Sequence, residues 1–341
     1  MRAAIVGLGC ISTTHYGAIG RAGGEVVAIC DIDPQKVTAF RASTGCRAAA
    51  YPHIEALLAA PGVDVVHICT PHYLHAEMVI AALRTGHHVL CEKPLCIREE
   101  DLPRVLAAER ESGRQLGVCH QNRYNESNRA VYALLQSDPA TSGFGTVVWN
   151  RGAAYYASGP WRGRRETEGG GVMINQALHT LDLLLWLMGQ PDSVQADLAN
   201  RHLPGVIEVE DTASALFRYA DGRCFNFFAT TASRADMPVQ LMLATQGGQT
   251  IVAANDTLTV NGAIRPSDSG STRYGKEVWG DGHAKLVADF YTCIREGRPF
   301  AINGREGGRV VRAILAMYRS AGREVALSCA PSETEKKEEN V

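Results

Sequence analysis

Glu92-Lys93-Pro94 follows a short apolar run, residues 88–91, and sets a lysine directly before a proline, which restricts the lysine backbone to extended conformations. An ammonium aimed in this way can hydrogen-bond a substrate oxygen and stabilise alkoxide character as hydride leaves the adjoining carbon. A surface lysine with its stem packed down is the plainer reading of the same residue. Further along, Gly169-Gly170-Gly171 leads into an apolar stretch carrying Asn175, His179 and Asp182, which Gly189 and Pro191 terminate. The spacing predicts one helix over 171–188 with these three side chains, at i, i+4 and i+7, in a narrow polar stripe. Such a stripe fits His179 as a general base toward a hydroxyl, with Asp182 orienting its other nitrogen and Asn175 holding a neighbouring hydroxyl. A core histidine satisfied by Asp182 fits the same pattern.

A second constellation points to a nucleotide. The first apolar run enters Gly7-Leu8-Gly9-Cys10-Ile11-Ser12, a G-x-G-x-x-S turn in which the glycines permit close backbone approach to a pyrophosphate and the small Ser12 lets the next helix pack on the strand. Asp31 closes the second run nineteen residues after Ser12, where a carboxylate accepts hydrogen bonds from an adenosine ribose and repels a 2'-phosphate. With Ile32 and Asp33 beside it and no arginine, the expectation is NAD rather than NADP. Thr70-Pro71 ends the third run, at the edge where open α/β sheets bind ligands, although a plain strand-ending turn explains Pro71 equally well.

The elements that would position these groups fall into two series. Over residues 1–121, short apolar runs at 3–6, 26–29, 63–68, 88–91 and 115–119 alternate with helix-like segments, and their lack of polar alternation suggests strands covered on both faces. That rhythm predicts a doubly wound parallel sheet of the Rossmann kind. Over 122–330 the strand-like segments 146–156, 211–218, 224–229, 239–244, 250–253 and 257–260 follow one another through turn signals, which predicts a second α/β domain on a mainly antiparallel sheet. Helices are expected at 126–135, 283–295 and 306–321, the last ones free to pack back on the first domain, and 331–341 reads as a disordered tail.

Composition excludes other classes. The 341 residues carry 34 basic and 36 acidic side chains, a formal charge of -2, so neither a nucleic-acid partner nor a membrane surface is expected. Arg162, Arg164 and Arg165 are diluted by Glu166 and Glu168, and read as a solvated loop or an anion contact. Residues 1–9 read as a first strand rather than a signal peptide, and no segment reaches the ~18 apolar residues of a membrane span. Ten cysteines include no C-x-x-C pair, and several end apolar runs. They read as core hydrophobes in a reducing cytoplasm, with no metal expected, at His87-His88 or elsewhere.

Together these residues resemble the glucose-fructose oxidoreductase / inositol dehydrogenase / MocA (Gfo/Idh/MocA) family over residues 1–330. The resemblance is carried by Gly7-Leu8-Gly9 with His15, Cys30-Asp31-Ile32-Asp33-Pro34, Thr70-Pro71 with Leu74-His75, and Glu92-Lys93-Pro94-Leu95. Gln121-Asn122-Arg123-Tyr124, Trp161-Arg162-Gly163, Gly169-Gly170-Gly171, the segment bearing Asn175 and His179, and Asp289-Phe290 extend it. It implies a Rossmann domain joined to a domain on a large open sheet whose exposed face mediates homo-oligomers. It also implies reversible, nicotinamide-dependent oxidation of a secondary hydroxyl on a sugar or polyol. Lys93 and His179 would be the catalytic lysine and acid/base histidine, with Asn175 beside them. Gly7, Leu8, Gly9, Cys10, Ile11, Ser12, Asp31, Ile32, Thr70, Pro71, His75, Glu92, Lys93, Asn122, Trp161 and Arg162 would contact cofactor. Lys93, Arg123, Tyr156, Asn175 and His179 would contact substrate. The family's inositol dehydrogenases carry aspartate where this chain has Asn175, and the Asn-Gln...His form resembles a branch acting at C3 of nucleotide-linked amino-sugar acids. An NAD-dependent glycosidase that oxidises its sugar transiently, and a non-catalytic nucleotide sensor or scaffold, are the competing expectations.

Overall fold

Strands whose residues are nearly all apolar need cover on both faces, and the first half of the chain supplies it. The computed structural model describes residues 1–254, 257–265 and 281–327; the tail expected at 331–341 and Cys329 lie outside the described residues. In order come β1 (Arg2–Val6), α1 (Ser12–Arg21), β2 (Glu25–Cys30), α2 (Pro34–Thr44), β3 (Ala49–Tyr51), α3 (Ile54–Leu58) and β4 (Val65–Ile68). A 3-10 turn (His72–Leu74), α4 (His75–Arg84), β5 (His88–Cys91), α5 (Asp101–Ser112) and β6 (Leu116–Val118) follow. The sheet order is β3-β2-β1-β4-β5-β6, all parallel. Chain order reverses between β1 and β4, and the loops after those strands flank a crevice at the carboxyl edge. Local chemistry sets the boundaries: Asp33 caps α2 by accepting from Gln35 N at 2.8 Å, Pro34 opens that helix, and Gly45 at φ 72° closes it. β3 was not expected, because an Ala-Ala-Tyr edge strand with little burial leaves no apolar run to read.

The second half begins with a 3-10 turn (Gln121–Tyr124) and α6 (Glu126–Leu135), then β7 (Ala140–Val148), α7 (Ala153–Tyr156), α8 (Leu178–Met188), β8 (Ser193–Ala199), β9 (Thr212–Arg218) and β10 (Cys224–Thr230). It continues with β11 (Gln240–Thr245), β12 (Thr250–Ala254), β13 (Thr257–Val260), β14 (Ala263–Arg265), α9 (Gly282–Glu296), α10 (Gly304–Ser320) and β15 (Glu324–Ala326). The described strands form a sheet ordered β14-β13-β12-β11-β7-β10-β9-β8-β15. It is antiparallel throughout except for the parallel pair β7 and β10. Burial alternates along β9, β10 and β11, as in a sheet packed on one face only. Helices α6, α8 and α10 contact it, while Phe228 and Met242 stand exposed. Gly143 and Gly145 in β7 allow the close fit: a Cβ there would stand 2.9 Å from Met188 Sδ and 2.8 Å from Leu184 Cδ1 of α8. α9 packs along α1, and α10 touches α5 and β6, so the closing helices return to the first domain. None of the helices described is long and apolar enough to cross a membrane.

Two expected elements differ. The predicted strand over 146–156 ends at Val148, and beyond Gly152 the chain turns into α7, so Tyr155 and Tyr156 are helical. The predicted helix over 171–188 begins only at Leu178. Ahead of it the chain makes a wide turn, because Ala177 N bonds back five residues to Val172 O at 2.8 Å and interrupts the helical ladder.

Candidate active site

Three loops of the parallel sheet build one wall. Gly7, at φ +87°, lets the first loop lie against the third: a Cβ there would be 2.7 Å from the Cys69 carbonyl carbon. Gly9 has open space where a side chain would stand, and Ser12 Oγ, fully buried, donates to Gly9 O at 2.6 Å. Leu8 N donates to Asp31 Oδ2 at 2.8 Å and Asp33 N to Oδ1 at 3.0 Å, so the carboxylate at the tip of β2 is fastened to the glycine loop. Cys10 and Ile32 are exposed, Ile11 lies at the start of α1, and Thr70 and Pro71 are partly exposed after β4. His75 is fully buried with Nδ1 2.6 Å from Pro94 O and Nε2 2.8 Å from Thr70 O, so it braces the loops after β4 and β5 against each other.

Glu92 is buried as well. Its Oε1 lies 2.9 Å from His15 Nε2 and 3.4 Å from His283 Nε2, and its Oε2 accepts from Lys93 N at 3.2 Å. Burial would raise this carboxyl, but the hydrogen bonds from His15 and His283 hold it well below the usual carboxylate range. The chain of bonds continues from His15 Nδ1 to His67 Nδ1 at 2.8 Å and from His67 Nε2 to the Tyr291 hydroxyl at 2.8 Å. One set of tautomers satisfies all of them: Tyr291 donates to His67, His67 to His15, and His15 to Glu92. His67 stays neutral, since burial lowers its pKa well below the ordinary histidine value. Among the described residues, ligand-type atoms converge at His15, Glu92 and Cys119, within 4.8 Å of one another. At His87 and His88 the ring nitrogens instead meet Thr85 Oγ1 and Gln115 N, both at 3.0 Å. Cys30, Cys69, Cys91 and Cys119 are buried free thiols, and burial pushes Cys30 up to about 12.

The opposite wall comes from the second domain. Of residues 89–97 all but Lys93 are buried, and of residues 170–185 all but Asn175 and His179. Lys93 Nζ donates to Asn175 O at 2.8 Å and lies 3.4 Å from Asn175 Oδ1, which joins the two domains across the crevice. His179 Nε2 lies 3.2 Å from Gln121 Nε2, and its Nδ1 is buried without a hydrogen-bond partner. Burial, and then the charges of Lys93 and His120, lower the His179 pKa well below its usual value, so the imidazole is neutral at pH 7. Asn122, next in the chain to Gln121, is also buried and leaves its Oδ1 without a hydrogen-bond partner. Trp161 packs on His72 at 4.7 Å, and Arg162 lies over Trp161 at 4.4 Å and over Tyr155 at 4.6 Å.

Three side chains are placed otherwise than the sequence suggested. Asp182 does not hold His179: its carboxylate accepts from Arg123 Nε at 2.8 Å and Nη2 at 2.6 Å, because the turn before α6 delivers a guanidinium beneath α8. Arg123, expected to reach substrate, is therefore buried between Asp182 and Glu306. Tyr156 is buried with Leu203, Ile207 and Val209, and its neighbour Tyr155 faces the site, its hydroxyl oxygen accepting from Arg162 Nη1 at 2.6 Å, Gln176 Nε2 at 3.1 Å and Asn175 Nδ2 at 3.2 Å. Arg164 and Arg165 sit outside, against Glu208. Glu168 and Glu210, which the sequence pattern does not single out, are two buried carboxylates that organise the wall. Glu210 accepts from Gly171 N at 3.0 Å and Met173 N at 3.1 Å. Glu168 has one sequence signal, its place directly before a triple glycine, and Glu210 has none.

The glycines there are obligatory. A Cβ on Gly171 would stand 1.8 Å from the Glu210 carbonyl oxygen, a backbone atom that cannot swing away. Gly171→Ala is therefore expected to lower stability by at least about 3 kcal/mol, read as loss of soluble protein or of the cooperative melt; a melting curve matching the parent would contradict this packing.

Open space above Gly9, a carboxylate at the tip of β2, and buried unpartnered polar atoms on Asn122 and His179 fit a dinucleotide held at the switch point. Comparison with known proteins agrees. Residues 1–120 match a model described as an oxidoreductase family with an NAD-binding Rossmann fold, and residues 142–251 match the GFO/IDH/MocA C-terminal domain. The chain is similar to the WlbA dehydrogenase of Bordetella pertussis, solved with NADH and UDP-GlcNAcA: 30% identity, 96% of this chain and 99% of that one, TM-score 0.84. The WlbA enzyme of Chromobacterium violaceum, with the same two ligands, is 28% identical over 96% of both chains, TM-score 0.81. A 1,5-anhydro-D-fructose reductase of Ensifer adhaerens is 31% identical over 209 residues, which are 60% of this chain and only 62% of that relative. With both of its domains matched, the chain belongs to the GFO/IDH/MocA family of oxidoreductases and carries that family's NAD-binding Rossmann domain.

Proposed function

We propose that the protein reversibly oxidises a secondary ring hydroxyl of a sugar derivative, at C3 of a pyranoside and with a nucleotide-linked hexuronate as the favoured class. The observation that carries this reading is the meeting of Lys93 and Asn175 across the crevice, with neutral His179 on the same wall. Bound NAD supplies the hydride acceptor. His179 takes the proton from the hydroxyl, and the Lys93 ammonium stabilises the charge that develops on that oxygen. Asn175 and Tyr155 present polar groups for neighbouring hydroxyls, and Arg162, stacked on two aromatic rings, offers a guanidinium to an anionic part of the substrate. The similarity to dehydrogenases solved with UDP-GlcNAcA supports the nucleotide-linked class. The resemblance also leads us to propose a homo-oligomer formed through the face of the large sheet that bears Phe228 and Met242.

The test is to follow NADH formation with UDP-N-acetylglucosaminuronate and with simple glucosides, after identifying by mass spectrometry any nucleotide released from freshly purified protein. Steady NADH formation with the nucleotide-linked acid, and a 3-keto product, is the expected result. Turnover of glucosides alone would reassign the substrate class, and aglycone release without net NADH would move the reading to transient oxidation. Asp31→Ala removes both the ribose acceptor and the partner of Leu8 N. It should weaken NADH binding by about tenfold and narrow the preference over NADPH, measured by fluorescence titration.

A further inference from the structure

Asn175 has an amide whose two ends differ in chemistry but hardly in shape, so something else must decide which end faces Lys93. Its Nδ2 donates to Glu168 Oε1 at 2.5 Å, and this leaves Oδ1 on the Lys93 side, 3.4 Å from Nζ. Glu168 is itself fixed: it is fully buried, its Oε2 accepts from Gly163 N at 2.5 Å, and its backbone carbonyl accepts from His72 Nδ1 at 2.9 Å. An ionised carboxylate only accepts, so it demands the NH2 end of the amide.

We propose that Glu168 is a positioning residue, a buried carboxylate that sets the Asn175 amide and through it holds the Lys93 ammonium in place, and that it is the reason residue 175 must be an amide and not an acid. An aspartate at 175 would bring two carboxylate oxygens to the 2.5 Å now spanned by N–H···O, and one of them would have to take up a proton. The charged and titratable groups facing Glu168 are Lys93, Arg162, His72, Tyr155, Tyr156 and Tyr318. Burial raises its carboxyl, while the Gly163 and Asn175 hydrogen bonds and the Arg162 and Lys93 charges pull it back.

The catalytic part of this inference rests on the dehydrogenase reading, so the test has one arm that needs no substrate. Asn175→Asp, Glu168→Gln and the double variant are melted with the parent at pH 5.5 and pH 8. A raised carboxyl pKa in the folded state makes stability fall as pH rises toward that pKa, so Asn175→Asp should show a larger deficit at pH 8 than at pH 5.5. The double variant should lose that pH dependence. In turnover at pH 8, Asn175→Asp should lose about 100-fold in kcat, Glu168→Gln about tenfold with KM little changed, and the double variant should recover to within about tenfold of the parent. Equal melting of Asn175→Asp and parent at both pH values would overturn the pairing itself. Coupling in the melts, with a double variant no faster than Asn175→Asp, would overturn the positioning role. Coupling in the melts in a protein that turns over no sugar would keep the pairing and remove the dehydrogenase reading.

Discussion

Lys93→Met should cost about 10²–10³-fold in kcat, the usual loss when one donor to a developing oxyanion is removed, with NADH binding within about twofold of the parent. Methionine keeps the four-atom unbranched stem and lacks only the terminal ammonium, so the stem still packs while the charge is gone. The lysine is the single partly exposed residue in 89–97, and it reaches the opposite domain through Asn175 O at 2.8 Å. Loss of the ammonium therefore removes both the charge offered to substrate and one tie across the crevice. Melting and NADH titration separate the two: an unchanged titration with collapsed turnover assigns the lysine to chemistry. Retained turnover would take it out of the mechanism.

His179→Ala should lower kcat for alcohol oxidation by about 10²–10⁴-fold, the range for a lost general base. The parent's pH profile carries a further signature. Because burial and the neighbouring Lys93 and His120 charges hold the imidazole pKa well below its ordinary value, the base is already neutral at pH 6.5. The acid limb of kcat/KM for oxidation should accordingly lie below the ordinary histidine range, and oxidation should fall only as pH drops through that lowered value. The variant should lose this limb. A profile with the same limb in parent and variant would assign it to another group and demote His179 to packing.

Chemistry carried by short stretches of chain could be read from the sequence. The glycine loop, Asp31 and the lysine before Pro94 owe their places to a strand, a turn and the next helix start, all of which leave local marks. The buried runs of β1, β4 and β5 did so too. Partners far apart in the chain left none. Spacing alone drew Asp182 to His179 on α8, yet a guanidinium 59 residues away holds it instead. Tyr155 and Tyr156 are adjacent aromatic residues, and only the curl of α7 decides which of them meets Arg162. Glu168 looked like one more acid in a charged loop until the fold buried it against Asn175. The late start of α8 leaves no mark of its own either: Ala177 N bonds back five residues to Val172 O at 2.8 Å, a wide turn that the i, i+4, i+7 spacing of polar residues does not reveal.

The central claim is that hydride leaves one ring carbon of a sugar derivative while this site holds its oxygen. It is met most directly by supplying NAD+ with UDP-N-acetylglucosaminuronate or a glucoside deuterated at C3 and weighing the nicotinamide product. One deuterium in each NADH formed, and a slower rate than with the protiated sugar, is the expected result. Reduced nicotinamide without the label would contradict oxidation at C3, and no reduced nicotinamide with either sugar would contradict the function.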